Sequence, residues 1–333
     1  MKREAILAVE TSCDDTCAAV IIDGVIASNI VSSQTEIHAP YGGVVPEIAS
    51  RSHLEHLPSV IDLALSTAQI SKNDLCAAAV TYGPGLVGAL LAGLTYAKTL
   101  AYSLGIPLIG VNHLAGHISA NFISGAKPPF MCLIASGGHS SLVIVRDYTE
   151  FEVIGTTTDD AAGEAFDKVA RTLGLGYPGG LSLDIEAEKG NASAVELPRP
   201  KLKEDNFDFS FSGLKSAVLN YINKSKMTGN EIIREDVCAS FRQSVSDVLT
   251  EKTIRACEEY GLDSICICGG VSANSLLRSE FIRKCTQKNI KLTMPPLDLC
   301  SDNAAMIAQA AYCLYKEGRF SDYWLNAEPN LPL

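Results

Sequence analysis

The sequence predicts an α/β fold of two duplicated lobes, and three observations support that prediction. Two hairpins with polar turns occur, one around residues 6–22 and one around residues 131–145. A buried strand, a glycine turn and a helix follow each hairpin, over 77–104 and again from 264 onward. The order of elements therefore repeats although the halves share almost no sequence, which is typical of duplicated α/β lobes that face a cleft.

The elements of the first half follow from local patterns. The mostly apolar runs 6–10 and 17–22 flank the polar turn and predict the first hairpin. A helix is predicted over 46–67, and a strand over 77–82 is followed by a helix over 86–104 and a short strand over 108–111. The predicted apolar face of the first helix comprises Ile48, Leu54, Leu57, Val60, Ile61 and Leu65.

The uncharged stretch 77–97 is long enough to span a bilayer. Gly83-Pro84-Gly85 interrupts it near the middle, and such a turn breaks a helix. We therefore expect a buried strand, a turn and a buried helix there, and no membrane segment.

The second half is interpreted in the same way. Residues 131–135 and 141–145 predict the second hairpin, 159–171 an amphipathic helix, and 264–268 a strand that turns at Gly269-Gly270 into a helix near Ser272. A last helix is predicted to end at Gly318. The expected domains are an N-terminal lobe, 1–111 with 305–333 packing back, and a C-terminal lobe, 112–304, with an insertion around 184–236.

Bulk charge argues against a chain that coats nucleic acid or membrane. The sequence has 27 Lys and Arg residues against 38 Asp and Glu residues, a formal net charge of −11. Any nucleic-acid role therefore needs a shaped site or a basic partner. A local basic patch at most is formed by Arg199, Lys201, Lys203, Lys215, Lys224, Lys226 and Arg234.

The eleven cysteines are scattered, mostly in apolar runs, and no pair has the CxxC spacing of a zinc ribbon or a thioredoxin-type site. We therefore expect buried thiols in a reducing compartment. The N-terminal residues lead to only a short apolar run before Glu10, which predicts no signal peptide. A cytoplasmic protein is expected.

A pair of histidines is the first candidate for chemistry. Asn112 can cap a helix, and His113 and His117 then lie one turn apart on one face, as a metal ion requires. By spacing alone, two helix histidines bonded to backbone or water remain the alternative. A zinc protease needs Glu after the first histidine, but Leu114 stands there, which disfavours ordinary proteolysis.

Carboxylates elsewhere are candidates to complete such a site. Ser301 is predicted to cap the last helix, which places Asp302 in its first turn as a possible third ligand. Plain helix capping is the alternative for this carboxylate. Glu10 and Asp14 flank the first hairpin turn, where a carboxylate can act at a phosphate or polarise a nucleophile, and solvent exposure is the alternative for Asp14.

The predicted helix 159–171 carries acidic residues opposite its apolar stripe. Glu164 and Lys168, like Asp167 and Arg171, are four residues apart, so solvated ion pairs are the default and a ligand carboxylate the alternative. The glycine loop 177–180 that follows either floors a pocket or turns the chain.

Two further glycine turns could bring backbone amides to an anion. Gly83–Gly88 fits the pattern GxGxxG, but no acidic residue occurs between Asp74 and Asp147, so a Rossmann dinucleotide site is rejected. An anion-binding turn and a purely structural turn remain open there. Gly269–Asn274 suits a nucleoside or a phosphate.

Ten motifs in this order are more specific than any one of them. They are Glu10–Asp14, Tyr41–Arg51, Gly83–Ala89, His113–His117, Ser136–His139, Asp159–Lys168, Tyr177–Gly180, Phe209–Lys215, Gly269–Asn274 and Asp302–Met306. Over essentially its whole length the chain closely resembles the family of bacterial tRNA threonylcarbamoyladenosine synthase subunits, a universal family once labelled sialoglycoprotein endopeptidases.

The resemblance implies a fold and a reaction. The fold is the duplicated actin/Hsp70/sugar-kinase-like α/β fold, two lobes around a nucleotide-binding cleft. The reaction is the metal-assisted transfer of a threonylcarbamoyl group from threonylcarbamoyl-AMP to N6 of the adenosine that follows the anticodon. Its products are AMP and t6A-modified tRNA, in tRNAs that read codons beginning with A.

The resemblance also implies site residues. His113, His117 and Asp302 match the family's metal ligands, usually for one Fe²⁺ and sometimes for zinc. The adenylate-binding positions match Ile134, Ala135, Ser136, Gly137, Gly138, Asp167, Gly180, Asp184 and Asn274. Archaeal and eukaryotic relatives have a tyrosine ligand where this chain has Ile134, and Asn where it has His139. Glu10 and Asp14 are catalytic candidates, at the phosphate or as acceptors of the amine's proton.

Partners implied by the resemblance are the tRNA substrate, an inactive paralogue that forms a heterodimer, a small ATPase and an upstream threonylcarbamoyl-AMP synthase. Two alternatives come from other classes. One is a metalloprotease, suggested by the old family label and the HxxxH spacing. The other is a nucleotide-binding scaffold subunit without chemistry, against which the retained ligand set argues.

Overall fold

The computed structural model describes residues 3–200 and 206–333, so Lys201 and Lys203 of the basic patch lie outside the described residues. The chain forms two compact units. The first comprises Met1–Ala126 with Asp302–Leu333, and the second comprises Lys127–Ser301.

The first unit is built on a five-stranded sheet in the order β3-β2-β1-β4-β5. Strands β1 to β3 are antiparallel neighbours, whereas β4 and β5 run parallel to β1. The strands are β1 (Ala5–Glu10), β2 (Asp15–Ile22), β3 (Val25–Ser33), β4 (Leu75–Gly83) and β5 (Leu108–Asn112). The helices are α1 (Thr35–His38), α2 (Pro46–Thr67), α3 (Val87–Leu104), α4 (His113–Ile123) and α10 (Ala304–Lys316).

The second unit has a five-stranded sheet in the order β10-β9-β6-β7-β8. Strands β6 to β8 are antiparallel neighbours, and β9 and β10 run parallel to β6. The strands are β6 (Phe130–Ala135), β7 (Ser140–Asp147), β8 (Glu150–Thr156), β9 (Ser264–Cys268) and β10 (Lys291–Thr293). The helices are α5 (Ala162–Thr172), α6 (Gly179–Ala187), α7 (Ser212–Thr228), α8 (Arg234–Glu259) and α9 (Ser275–Lys288).

The two sheets have the same strand order and the same strand directions. An antiparallel meander of three strands is followed by two strands parallel to the first of them, in each unit. The central strands β1 and β6 are wholly buried, as expected for strands under helices. The predicted duplicated α/β architecture is therefore confirmed.

Several predicted elements have the observed bounds or nearly so. Helix α2 spans the predicted residues, and β4, a turn and α3 replace the uncharged stretch 77–97. No helix of the described residues combines the length and the apolar character that crossing a bilayer requires. Leu54 was wrongly assigned to the buried face of α2, because its side chain is 65% exposed.

Three helices begin later than predicted, two of them because another residue supplies the cap. Helix α9 begins at Ser275, where the Asn274 side chain accepts from the Leu277 amide, and a 3₁₀ turn occupies the residues before it. Helix α10 is capped by Asn303, not by Ser301, so Asp302 precedes the helix and does not lie in its first turn as predicted. Helix α5 begins at Ala162, so the acidic pair at 159–160 precedes it.

The division into units differs from the predicted lobes. The first unit extends to Ala126 and resumes at Asp302, whereas the prediction placed its limits at 111 and 305. Helix α4 packs against α10, which draws both into the first unit. The residues of the expected insertion, 184–236, belong to the second unit and include α7.

All eleven cysteines lie in the described residues as thiols, and eight of them are buried. Cys132 and Cys268 are neighbours across β6 and β9, with their sulfur atoms 3.7 Å apart. Burial raises the pKa of the Cys132 thiol well above its ordinary value, so the protonated thiol is the stable form.

Candidate metal centre and nucleotide-binding positions

Helix α4 presents two imidazoles on one face. Strand β5 ends at Asn112, whose side-chain Oδ1 accepts hydrogen bonds from the amides of Leu114 at 2.8 Å and Ala115 at 3.3 Å. The helix therefore starts at His113, as predicted, and His117 follows one turn later. The two ring centroids are 4.7 Å apart.

Asp302 completes a three-residue cluster with these histidines. Its Oδ1 lies 3.2 Å from Nε2 of His117 and 3.5 Å from Nε2 of His113. One ligand atom of each residue lies within 4.8 Å of the others. Helix α10 packs against α4 beside this cluster, and Gly116 leaves room for the Ile307 side chain, because a Cβ there would lie 2.5 Å from it.

The cluster fits a metal ion. His117 is fully buried, and among the described residues neither of its ring nitrogens has a hydrogen-bond partner, although Nε2 faces Asp302. A buried polar atom without a partner costs about 1–3 kcal/mol. Two imidazoles and a carboxylate are ligands that a divalent transition metal accepts, and coordination would satisfy this histidine.

Glu10 supports one of the two imidazoles from behind. It is fully buried at the end of β1, and its carboxylate accepts hydrogen bonds from the Ser12 amide and from the Thr81 hydroxyl, the latter at 2.5 Å. The Nδ1 atom of His113 lies 3.0 Å from Glu10 Oε2. A carboxylate on Nδ1 holds the ring with Nε2 directed at the cluster, as in carboxylate–histidine–metal arrangements.

Glu10 and His113 each shift the pKa of the other toward its charged form. Burial disfavours the ionised carboxylate, but His113 and the hydrogen bonds from His113 and Ser12 outweigh it and hold the pKa of Glu10 below its ordinary value. Burial likewise disfavours the imidazolium, but the carboxylates of Asp302 and Glu10 raise the pKa of His113 to about 9. Without a metal, His113 is therefore protonated at neutral pH, and a cation bound by this imidazole would take the place of that proton.

Asp14 lies in the same hairpin turn, half-buried, and its carbonyl accepts from the Gln34 amide at 3.1 Å. The turn is fixed by His53, a residue of α2 that the sequence analysis missed. His53 Nε2 lies 2.9 Å from the Cys13 carbonyl, and its Nδ1 lies 2.8 Å from the Thr16 hydroxyl. These contacts join residues 37–40 positions apart, so no local pattern predicts them.

The turn Gly83–Gly85 has a structural role. The Gly85 amide donates to the Pro329 carbonyl and the Leu86 amide to the Ser12 carbonyl, at 3.1 and 2.8 Å. A Cβ on Gly83 would lie 2.1 Å from the Glu328 carbonyl oxygen. Both amides thus serve the chain itself, which favours the structural turn over the anion-binding turn.

In the second unit, the turn between β6 and β7 is open. Nothing lies within 4 Å of a Cβ built on Gly137 or Gly138, and both residues are exposed. Ile134 and Ala135 are fully buried, so their main chain is what they can offer to a ligand. The Ser136 carbonyl accepts from the Gly163 amide at the start of α5, which fixes the turn against that helix.

Asp167 and Gly180 are joined by hydrogen bonds. One carboxylate oxygen of Asp167 accepts from the amides of Gly179 and Gly180, at 2.9 and 3.2 Å. The two glycines start helix α6 and do not form a loop as predicted, and Asp167 serves their amides as a cap residue would. The predicted pair Glu164–Lys168 is present at 2.7 Å.

Asp184 and Asn274 lie in one polar network. The side-chain Nδ2 of Asn274 donates to Asp184 Oδ1 at 2.8 Å, and the backbone amide of Ser275 donates to Asp184 Oδ2 at 3.0 Å. Arg242, which the sequence analysis missed, forms a 2.7 Å ion pair with Asp184 Oδ1 and donates to the Ser275 hydroxyl at 3.1 Å. Arg242 lies inside the long helix α8 with no motif around it, so the sequence holds no signal for its role.

The predicted positions therefore form two sets. His113, His117, Asp302 and Glu10 come together in the first unit. The second set lies entirely in the second unit, where hydrogen bonds connect Asp167 to Gly180 and Asp184 to Asn274.

Solved structures similar to this chain show its fold. T. kodakarensis HypF matches with a TM-score of 0.66 at 16% identity, over 97% of this chain and 49% of that chain. Component A of the (R)-2-hydroxyglutaryl-CoA dehydratase of Acidaminococcus fermentans matches with a TM-score of 0.55 at 16% identity, over 95% of this chain and 99% of that one. At this identity the likeness concerns the two-lobed duplicated α/β fold alone.

Sequence relatives are much more similar. The tRNA N6-adenosine threonylcarbamoyltransferase of Clostridium botulinum (strain 657 / Type Ba4) is 57% identical, over 98% of this chain and 97% of the relative. The protein of that name from Clostridium perfringens (strain SM101 / Type A) is 55% identical, over 100% and 99%. The family model described as tRNA N6-adenosine threonylcarbamoyltransferase matches residues 25–309. The chain belongs to the tRNA N6-adenosine threonylcarbamoyltransferase family.

Proposed function

We propose that this protein transfers the threonylcarbamoyl group from threonylcarbamoyl-AMP to N6 of the adenosine that follows the anticodon, which yields t6A-modified tRNA and AMP. The observation that carries the proposal is a cluster of two buried histidines, His113 and His117, and the half-buried Asp302, with its ligand atoms within 4.8 Å, in a chain of this family. A scaffold subunit without chemistry has no need of such a cluster.

The ligand set suits non-haem iron, with zinc as the second choice. The ion, when bound, supplies Lewis acidity that makes the carbamoyl carbonyl more electrophilic. The chain's own residues shape that centre. Glu10 holds His113 by its Nδ1, and Asp302, two residues before α10, lies beside both imidazoles.

The second unit binds the adenylate in this proposal. The exposed glycines of the 136–138 turn leave main-chain groups accessible to a phosphate. Asp184 and Asn274 supply a carboxylate and an amide for ribose hydroxyls, and Asp167 with Gly180 forms a further part of the site. Holding the donor in one orientation contributes by proximity, because the acyl group is then presented to a single incoming amine.

A proton must leave the adenine amine, which is a poor nucleophile because its lone pair is delocalised into the ring. Glu10 and Asp14 are the two carboxylates proposed to act here. The oxygens of Glu10 already face Ser12, Thr81 and His113, so its contacts favour a positioning role. Asp14, half-buried two residues beyond Ser12, is the better candidate for accepting the proton or acting at the phosphate.

The proposed partners are the tRNA substrate, an inactive paralogue that forms a heterodimer, a small ATPase and a synthase that supplies the adenylate. Four large apolar side chains on α2 and α3 are exposed and support a protein partner in the first unit: Leu54, Leu63, Val87 and Leu91. The net charge of −11 supports help from a basic partner in holding tRNA. A tRNA substrate and buried thiols support a cytoplasmic location.

The test is a transfer assay with purified protein, the proposed partners, synthetic threonylcarbamoyl-AMP and unmodified tRNA. The native chain is expected to form t6A, and His113→Ala is expected to reduce transfer at least a hundredfold while the circular dichroism spectrum stays unchanged. His56→Ala, a histidine of α2 outside the cluster, is the matched control and keeps full transfer. Normal transfer by the His113 variant contradicts the proposal.

A further inference from the structure

The segment 326–333, called the strap below, lies along the chain that follows β4. The Glu328 amide donates to the Tyr82 carbonyl at 2.8 Å, and the Pro329 carbonyl accepts from the Gly85 amide at 3.1 Å. Gly83 sits between these two bonds, and its missing Cβ leaves the space that the Glu328 carbonyl occupies. The strap is therefore held by main-chain hydrogen bonds on both sides of a glycine that no larger residue can replace without moving the strap.

The far end of the strap reaches the start of helix α4. The Pro332 carbonyl accepts a 2.8 Å hydrogen bond from Nδ2 of Asn112. Oδ1 of the same side chain accepts from the Leu114 and Ala115 amides and so caps the helix. One amide group thus uses its donor for the strap and its acceptor for the helix that carries both histidines.

These two roles depend on each other. An amide side chain can rotate about its last bond, and either end can then face the helix amides. The Pro332 carbonyl accepts only from the nitrogen, so it fixes the oxygen toward α4. His113 is the first residue of that helix, and its Nδ1 must also meet Glu10 at 3.0 Å.

We propose that the strap, acting through Asn112, positions the bis-histidine helix for metal binding. The inference rests on the proposed metal centre and is independent of which acyl donor the protein uses. Asn112 and the strap touch no substrate in this account. They are positioning elements, and their loss weakens the metal site more than it weakens the fold.

Two alterations break the hydrogen bond between Asn112 and the strap but leave the cap of α4 in place. Asn112→Ser keeps a side-chain acceptor of equal capping quality but loses the amide donor that reaches Pro332. Deletion of residues 332 and 333 removes the Pro332 carbonyl and leaves every residue of α4 intact. Trp324→Ala is the matched control, because Trp324 is 91% exposed and precedes the strap.

The measurement is the Zn²⁺ dissociation constant of each full-length protein, obtained with Zn²⁺ alone in competition with a chromophoric chelator. Thermal unfolding of the metal-free proteins is recorded beside it. Each alteration is expected to weaken Zn²⁺ binding about tenfold. The double alteration is expected to weaken it no more than either single one, because both break the same bond. The control binds as the native protein does.

Three results would overturn the inference. If the native protein and both altered proteins bind Zn²⁺ equally, or if losses in the double alteration multiply, the strap does not act through Asn112. If the native protein does not bind Zn²⁺ at all, the proposed metal centre is wrong, and the inference that rests on it is wrong too. If Asn112→Ser lowers the unfolding temperature of the metal-free protein, its weaker Zn²⁺ binding can come from a weakened fold. The Zn²⁺ dissociation constant of the protein without residues 332 and 333 then tests the inference.

Discussion

Glu10 shows how one buried residue acts through its neighbour. Its carboxylate lies behind His113, on the side of the ring away from Asp302, and three donors converge on it. Those contacts fix both the tautomer and the orientation of the imidazole. A ligand fixed in this way loses little freedom when the ion arrives, which strengthens binding.

Replacing Glu10 by Gln tests that role. The Gln oxygen can still accept from Thr81 or Ser12, so the fold is expected to survive, but the charge behind His113 is lost. Zn²⁺ affinity is expected to fall about tenfold, measured by chelator competition. Glu47→Gln is the control, because Glu47 pairs with Arg51 on the exposed face of α2. Unchanged affinity in the Glu10 variant would remove its positioning role.

Single residues differ in how well the sequence predicts them. The spacing of His113 and His117 is local, so the helix and its cap at Asn112 follow from the pattern. The contact between Glu10 and His113 joins residues 103 positions apart, and no pattern records it. Asp302 was a candidate on position alone and became specific through the family resemblance.

Helix α7 shows how an element depends on a distant cap. The Asp159 carboxylate accepts from the Phe211 and Ser212 amides at the helix start, at 2.8 and 3.2 Å, and from the Ser210 and Ser212 hydroxyls. Partial burial works in the other direction, but these hydrogen bonds hold the pKa of Asp159 at about 2. Asp159 therefore precedes α5 in the sequence and caps α7.

Asp159→Ala is expected to destabilise the protein by about 1 kcal/mol, the usual cost of a lost helix cap. The depressed pKa gives the pH dependence its sign. The contribution of Asp159 is complete above its unfolded pKa of about 3.9 and is lost as pH falls toward 2. Urea unfolding at pH 7 and pH 3 measures it. A difference between native and variant that grows as pH falls would contradict this account.

A substitution at Gly83, in the turn after β4, tests how firmly the strap is held. Gly83→Ala places a Cβ 2.1 Å from the Glu328 carbonyl, so the strap must move, and we expect a loss of about 1–3 kcal/mol. Gly213→Ala is the control, since nothing lies within 4 Å of its Cβ. Thermal unfolding of both variants provides the measurement. Equal stability of Gly83→Ala and the native protein would show that the strap is loosely held.

Whole elements were predicted well where periodicity is long and poorly where caps are distant. Helices α2 and α3 carry several turns of apolar residues, and their bounds agree within a residue. The starts of α5 and α10 were wrong, because Asp159 caps another helix and Asn303 caps α10. Such choices depend on tertiary contacts, which a local pattern does not contain.

At the scale of the molecule, two units share one sheet topology and carry different polar clusters. Each unit repeats the same sheet, yet only the first carries the bis-histidine helix, and only the second carries the network of Asp184, Asn274 and Arg242. The order of hairpins and glycine turns along the sequence predicts the repeat. It does not predict where the units divide, since that depends on how α4 packs against α10.

We propose that threonylcarbamoyl transfer requires an ion held by His113, His117 and Asp302. Single-turnover transfer from supplied threonylcarbamoyl-AMP to unmodified tRNA tests it most directly, with partners present and the protein either metal-free or reloaded with one equivalent of Fe²⁺. We expect the metal-free protein to be at least a hundredfold slower and Fe²⁺ to restore the rate, but not in His117→Ala. Equal rates for the metal-free and the reloaded protein would contradict the claim.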